Sequence, residues 1–521
     1  MTTDGVVVDD TSSTGGPAAA NEAPIDAADA TVPTPSPADD SIRSGSVAPL
    51  ALLIGSMTAL VAARPISDNS FLTHLATGRL IVESGLPTQN PFLYSSESFP
   101  VPSYWWSVTV GWVDRLGGAT GLRLLTAALG GALGVLLVYL ARGGLRHDIT
   151  TSSGRADAPE APAGLLAVVV PAALTVICVF VFLNGRPHLL GFVLLALTVM
   201  VWQDRRSPWW LVPIFAVWVN SHGSWLYGLV VLGLFVVADA IDRREIEWRQ
   251  VALGATALAG TLVGGALYPD RFALVLLPTR QFGDPVERQA LQAYREWSRV
   301  GLGEPMLWMM IGLALLALYG CVRRRRLAMT VVVALLVAMG VSGLRLVPIA
   351  AIALVPFAAT GLAGIGTLGL PTGRAARLTT AAAAVVAAFT VLYVAATPNY
   401  RLDRFPVAAA DWLDERALIG RGQQVLTHDY AGNYLEWRYG NSANVFVDDR
   451  PAAEDLLDYV ELQRFDDGWP DALDRADPDV VIWRQDGSLA EALGEDPDWV
   501  VGTRADQFVV LCRAELADAC S

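Results

Sequence analysis

The stretch AARPISDNSFLTHLATGRLIVESG, residues 62–85, decides how the chain is read. It follows directly on an apolar run, stops at Pro65, presents one aspartate, Asp68, and then writes a segment carrying His74 and Arg79. An ordinary loop is polar throughout. On a helical wheel Phe71, Leu72, Leu75 and Val82 share an arc with Asp68 and Arg79, so the segment is expected to lie in a membrane interface, apolar side down. Asp68 in "SDNS" is also a natural helix start, and capping is compatible with a chemical role.

The composition around this stretch fits a multispanning membrane protein: of 521 residues, 53% are hydrophobic and only 17% charged. All 37 basic residues are arginine. Residues 1–45 carry a net charge of −7, residues 46–399 one of +8, and residues 400–521 one of −15. Acidic ends around a basic middle argue against a nucleic-acid partner. Residues 1–45 are rich in Ala, Pro, Ser, Thr, Gly and Asp and cannot bury a core. They are expected to form a disordered cytoplasmic tail, and without a basic start they are not a cleaved signal peptide. Cys178 and Cys321 lie in apolar runs. Cys512 and Cys520 are close in sequence and can pair if that end is extracytoplasmic. No Cys/His spacing reads as a zinc finger.

Apolar runs of membrane length recur from residue 46, a crossing helix needing about 20 such residues. Eleven candidates lie near 46–63, 119–141, 163–183, 187–202, 208–219, 224–241, 251–268, 305–321, 327–344, 346–365 and 378–396. Alternate loops hold the arginines: Arg142, Arg146 and Arg155; Arg205 and Arg206; Arg243, Arg244 and Arg249; Arg323 to Arg326; Arg374 and Arg377. Positive residues mark the cytoplasmic face, so the N-terminus is expected inside and, after an odd number of spans, the C-terminus outside. The expected fold is an α-helical multispanning bundle over 46–399, with outward loops at 64–118 and 269–304. Residues 400–521 follow as an extracytoplasmic α/β domain, since strand-like runs ("QQVLTHD", "NVFVDD", "DVVIWR", "WVVGTRADQFVVLCR") alternate with helical ones. No repeat is visible.

Ionisable groups at membrane depth are costly and usually functional. The topology places several at outer helix ends: Asp68, His74 and Arg79 after the first run; Arg186 and His188 in "NGRPH"; Asn220 and His222 in "VNSHGSW"; Arg345 in "SGLRLVP". If the helices bundle, these form a rim around one pocket. Arginine suits phosphate, histidine donates or moves protons, and a carboxylate held ionised beside them accepts a proton from an attacking hydroxyl. Blander readings stand beside this one. Arg186 and Arg345 can snorkel to headgroups, Asn220 and His222 can satisfy a tight turn, and "YWWSVTVGW" (104–112) reads as an interfacial aromatic belt. Glu296 in "REWSRVG" is a conceivable second carboxylate. A metal site of Asp68, His188 and His222 has no support in the spacing. His428, Asp429, Asp448, Asp449 and Arg450 fall near strand ends, where α/β folds place sites, but no phosphate loop accompanies them and turn chemistry explains them.

These residues resemble those of the GT-C superfamily, multispanning glycosyltransferases that take sugars from polyprenyl-phosphate carriers. The likeness lies in Asp68 within "RPISDNSFLTHLATGRLI", soon after the first helix, followed by "GLPTQNPF". It extends through "NGRPH", "WVNSHG", "GLRLVP" and "AGNYLEWRYG…NVFVDDR", over roughly 46–515. The resemblance implies an inner-membrane enzyme moving a sugar from a polyprenyl-phosphate donor to an envelope glycan, lipid or protein. Asp68 would be the base or a metal-associated carboxylate, which leaves a divalent cation open as cofactor. His74, Arg79, Arg186, His188, Asn220, His222 and Arg345 would bind donor and phosphate. Many members carry two adjacent acids where this chain has Asp68 and Asn69, and the "WWD" signature of oligosaccharyltransferases is absent. A transporter or flippase of lipid-linked or anionic substrates, or an envelope scaffold, are the competing functions. The first needs a polar path that the Ala/Val/Leu/Gly runs do not supply.

Overall fold

Each of the eleven apolar runs falls on a helix, the structure that satisfies its own backbone where no water can. The structure, a computed structural model, describes residues 45–152, 164–283, 285, 298–365, 368–420, 422–450 and 453–520. The expected tail, up to residue 44, and Glu296 lie outside them. In order come α1 (Ala48–Ala62), α2 (Asn69–Ser84), α3 (Tyr104–Ser152), α4 (Leu165–Val179), α5 (His188–Gln203), α6 (Leu211–Ser221), α7 (Trp225–Arg243) and α8 (Trp248–Leu267). They are followed by α9 (Ala273–Gly283), α10 (Pro305–Arg323), α11 (Leu327–Ser342), α12 (Val347–Gly361) and α13 (Gly373–Ala396).

Among the described residues, 7 helices are long and apolar enough to cross a membrane: Tyr104–Arg146, Leu165–Phe182, Trp225–Arg243, Trp248–Leu267, Pro305–Arg323, Leu344–Gly361 and Gly373–Ala396. The expected number was eleven. The difference is length: α1, α5 and α11 are apolar but have 15, 16 and 16 residues, and α6 has 11. At 1.5 Å per residue they reach roughly 17–24 Å, against about 30 Å of hydrocarbon. The run expected at 119–141 belongs to a longer helix. α3 begins in the aromatic stretch and breaks at Gly118 (φ 56°, ψ −158°), a conformation glycine adopts without a Cβ penalty.

α12 is the centre of the bundle, with every residue from Val347 to Gly361 buried. The arginine-bearing loops share one end of it. Arg205 bonds Glu247 at 2.7 Å, and Arg249 donates to the Val201 carbonyl at 2.6 Å. Asp239 takes Arg243 at 3.0 Å and Arg326 at 2.5 Å, while Arg324 donates to the Thr360 carbonyl at 3.1 Å. A buried arginine ties the opposite ends of α1 and α13 to α3: Arg123, 1% exposed, donates to the carbonyls of Ala63, Val394, Thr397 and Pro398.

The C-terminal segment alternates as expected: α14 (Val407–Glu415), β1 (Val425–Thr427), α15 (Asp429–Tyr439), α16 (Ala453–Arg464), α17 (Trp469–Ala476), β2 (Val480–Arg484), α18 (Ser488–Glu495), β3 (Trp499–Ala505) and β4 (Phe508–Arg513). The sheet order is β1-β2-β4-β3, with β1 and β2 parallel and the other pairs antiparallel. "NVFVDD" is not a full strand. Val445 instead makes single parallel bridges to Val425 on one side and Leu93 on the other, so the loop after α2 extends the sheet edge. Cys512 and Cys520 form a disulfide, Cα atoms 6.5 Å apart.

This docking changes the expected setting of α2. Phe71 and Leu75 pack with Trp106, Val110 and Leu122 of α3, while Leu72 joins the core of the C-terminal domain. Eight of its residues are buried, so α2 is sandwiched between bundle and domain and does not lie flat on lipid. A Cβ added at Gly78 would sit 2.0 Å from the Ser107 carbonyl oxygen, which is how closely α2 and α3 cross.

Candidate functional site

Asp68 caps α2, its carboxylate accepting from the Phe71 N–H at 3.2 Å. The same oxygen, Oδ1, accepts from Arg186 Nε at 2.5 Å, and Oδ2 accepts from Asn184 Nδ2 at 3.1 Å. Both side chains are largely covered, 17% and 12% exposed. Burial pushes the Asp68 carboxyl up, but the Arg186 charge and its hydrogen bond outweigh it and hold the group below the usual carboxylate value. The "NGRPH" turn is itself fixed, since Asn184 Oδ1 accepts the Arg186 N–H at 3.2 Å. Arg186 Nη2 also donates to Asn69 Oδ1 at 3.3 Å.

The histidines gather behind this pair. His188 Nε2 donates to the Phe182 carbonyl at 2.9 Å, because a carbonyl can only accept. Its ring meets that of His222 edge to face, centroids 6.2 Å apart. At His222, Nδ1 accepts the Ser224 N–H at 3.2 Å and lies 2.7 Å from Ser224 Oγ, which assigns the neutral ring's proton to Nε2. The charge of Arg345 acts on both rings and on Tyr227. His74, one turn and a half along α2, has Nδ1 3.3 Å from Ser107 Oγ. Burial, with the charges of Arg450 and Arg186, pushes it down to about 3, so it is neutral.

Two of the residues picked from the sequence stand elsewhere. Arg79 pairs with Asp114 of α3 at 2.7 Å and donates to the Trp437 carbonyl at 3.4 Å. It lines a cleft of about 420 Å³ with Val82, Glu83, Gly111, Asp114 and Arg115. The wheel put it on the Asp68 arc, but 11 residues of helix carry it roughly 16 Å away. Asn220 is fully buried and donates to the carbonyls of Ala216 and Gly264, at 3.1 and 2.8 Å, stapling α6 to α8.

The C-terminal domain reaches the same site through Asp449, so the cluster His428, Asp429, Asp448, Asp449 and Arg450 is more than turn chemistry. Asn69 Nδ2 donates to Asp449 Oδ1 at 3.4 Å, completing a chain of contacts from Asp68 through Arg186 and Asn69 to Asp449. Arg450 is pinned by Glu436 at 2.7 Å and Asp448 at 2.5 Å, donates to Thr77 Oγ1 of α2 at 2.5 Å, and lies 5.2 and 5.1 Å from the rings of Phe92 and Phe99. Burial pushes the Glu436 carboxyl well above its ordinary value against the pull of Arg450. A repeated acid followed by arginine ("DDR") was the only signal in the sequence, and nothing local says that it faces residue 69.

The two oxygens of Asp68 already accept three donors, one of them a guanidinium, and among the described residues no three His, Cys, Asp or Glu side chains group as ligands would.

No protein-family model matches the chain, and no curated protein matches it. Among solved structures it is similar to the oligosaccharyltransferase of Archaeoglobus fulgidus. With the enzyme tethered by a disulfide to an acceptor peptide containing the NVT sequon, the TM-score is 0.48 at 10% identity over 84% of this chain and 69% of that one. With the apo form, the values are 0.45, 11%, 84% and 70%.

Proposed function

We propose that this chain is a membrane glycosyltransferase that moves a sugar from a polyprenyl-phosphate donor to an envelope acceptor on the extracytoplasmic side. The observation that carries the reading is the ion pair between Asp68 and Arg186, two residues 118 positions apart that meet beside His188, His222 and Arg345. A carboxylate that fixes a guanidinium, with a second guanidinium and imidazole donors nearby, suits a phosphate whose leaving charge must be stabilised. Arg186 and Arg345 would face the donor phosphate, and His222 would offer its Nε2–H. With both oxygens of Asp68 engaged, its part is to hold Arg186 in line. The disulfide Cys512–Cys520 supports an oxidising, extracytoplasmic placement of the C-terminal domain, and the shared end of the arginine loops supports a cytoplasmic face opposite it.

The test uses purified full-length protein in lipid nanodiscs. Radiolabelled polyprenyl-phosphate hexoses and pentoses serve as donors, and envelope extract supplies the acceptor. Wild type should transfer label. Asp68→Asn keeps the helix cap, since Asn caps as well as Asp, but removes the counter-charge of Arg186. Transfer should fall by about a hundredfold or more while labelled donor stays bound. Unchanged transfer by Asp68→Asn would remove the pair from the reaction, and absence of transfer by wild type is what the transport and scaffold readings require.

A further inference from the structure

We infer that Asp449, supplied by the C-terminal domain, is the carboxylate that takes the acceptor's proton at the Asp68 site. This rests on the glycosyl-transfer reading above and names the residue that reading lacks. A general base needs an oxygen lone pair open to the proton it removes. Asp68 is poorly placed for this, because the Phe71 N–H, Arg186 Nε and Asn184 Nδ2 take three of its lone-pair sites and its charge is committed to the ion pair with Arg186. Asp449 stands one residue further along the same contact chain, and its commitments are weaker. Asn69 donates to it only at 3.4 Å, Ser70 and Asn433 add side-chain hydrogen bonds, and among the described residues it is in no ion pair. It is partly exposed, whereas neighbouring Asp448 is sealed and bound to Arg450. Its position is nevertheless fixed, since its own N–H donates to Asn433 Oδ1 at 3.0 Å.

The groups facing Asp449 fit a base in waiting. Arg186 lies on the bundle side, Asn69 and Ser70 on α2, Asn433 and Asp429 on α15, and Asp448 beside it in the chain. Burial leads in raising its carboxyl above the ordinary value, Asp448 adding to this and Arg186 opposing it. A raised carboxyl binds a proton more readily than Asp68, which Arg186 holds down. In the step itself the acceptor oxygen bonds to the anomeric carbon as the bond from that carbon to the phosphate oxygen breaks. The electron pair leaves on the polyprenyl phosphate, and the acceptor's hydroxyl proton passes to Asp449.

The same nanodisc assay, run across pH, tests this. Asp449→Asn should lower kcat by about 10²–10⁴-fold with the donor KM unchanged, and the acid limb of the pH–rate profile should vanish. Asp449→Glu should keep part of the activity with that limb displaced. Asp449→Asn within threefold of wild type, or a loss of rate with the limb unmoved, overturns the assignment. If Asp449→Asn does not accumulate in membranes, the Glu variant decides: a displaced limb supports the base and an unmoved limb overturns it. Absence of transfer by wild type overturns the glycosyl-transfer reading and this inference together. Equal transfer by wild type and Asp449→Asn overturns the inference alone.

Discussion

The two ends of the helical bundle both hold acid–arginine pairs, and they use them differently. Three helices start at one end and lead towards the other: α5 from His188, α7 from just after His222, and α12 from just after Arg345. At their far ends Asp239 receives Arg243, Arg326 and Gln250, and Asp242 accepts the Ala328 and Met329 N–H groups that open α11. That cluster closes on itself and ties α7 to α11. At the near ends one acid, Asp68, meets one arginine, and the surrounding His188, His222, Arg345 and Asp449 come from separate stretches of chain. A closed cluster of neighbours stabilises, while titratable groups drawn together from separate stretches mark a candidate site.

The comparison breaks most easily at α2. Gly78→Leu forces a side chain where even a Cβ would lie 2.0 Å from the Ser107 carbonyl oxygen, so α2 cannot seat. Transfer should be abolished, and limited proteolysis should cut the 64–103 region while the far end of the bundle stays resistant. Next in size are paired substitutions at the two ends. Asp68→Asn should lose transfer by about a hundredfold or more with thermal stability little changed. Asp239→Asn should remove the buried charge that Arg243 and Arg326 share, leaving them Glu247 and Asp242, and cost about 1.5–3 kcal/mol, with the specific activity of surviving protein close to wild type. Equal phenotypes would mean that the two ends are alike after all.

Smaller effects sharpen the picture within the C-terminal domain. Replacing Cys512 and Cys520 by Ser opens a short loop and should cost about 2–3 kcal/mol, read as a lower melting temperature that reductant no longer changes. The smallest effect is titration. Burial, then the Arg484 charge, pushes His428 down to about 4, so the fold favours the neutral ring. Its stability contribution is full above about pH 6.5 and is lost as pH falls from there towards 4. Asp429 works in the opposite sense: burial and Asp449 push it up to about 6, so its contribution is present at low pH and lost as pH rises through 6. His428→Phe should therefore gain about 1–2 kcal/mol on wild type at pH 5, and Asp429→Asn should melt higher than wild type at pH 7.

Local pattern carried the sequence reading as far as local pattern reaches. Apolar runs mark helices because hydrocarbon leaves the backbone no other partner, and alternating short runs marked the C-terminal sheet. Asp68 as a helix cap was legible from "SDNS". What failed was distance. Arg79 shares an arc with Asp68 but not a position along the axis, and Asn220 at a helix end turned inward to α8. Asp449 meets residue 69 across 380 positions, and Arg123 gathers carbonyls from two helices far apart in the chain. Neither contact leaves any trace in spacing.

The bridge from Leu93 to Val445 has a temporal consequence. The earlier residue emerges from the ribosome about 350 residues before its partner, roughly 20–70 s at 5–20 residues per second. Throughout that interval α2 and its loop lack the surface they rest on. The nascent chain is thus assembled with its candidate site incomplete, and closure waits for the C-terminal domain.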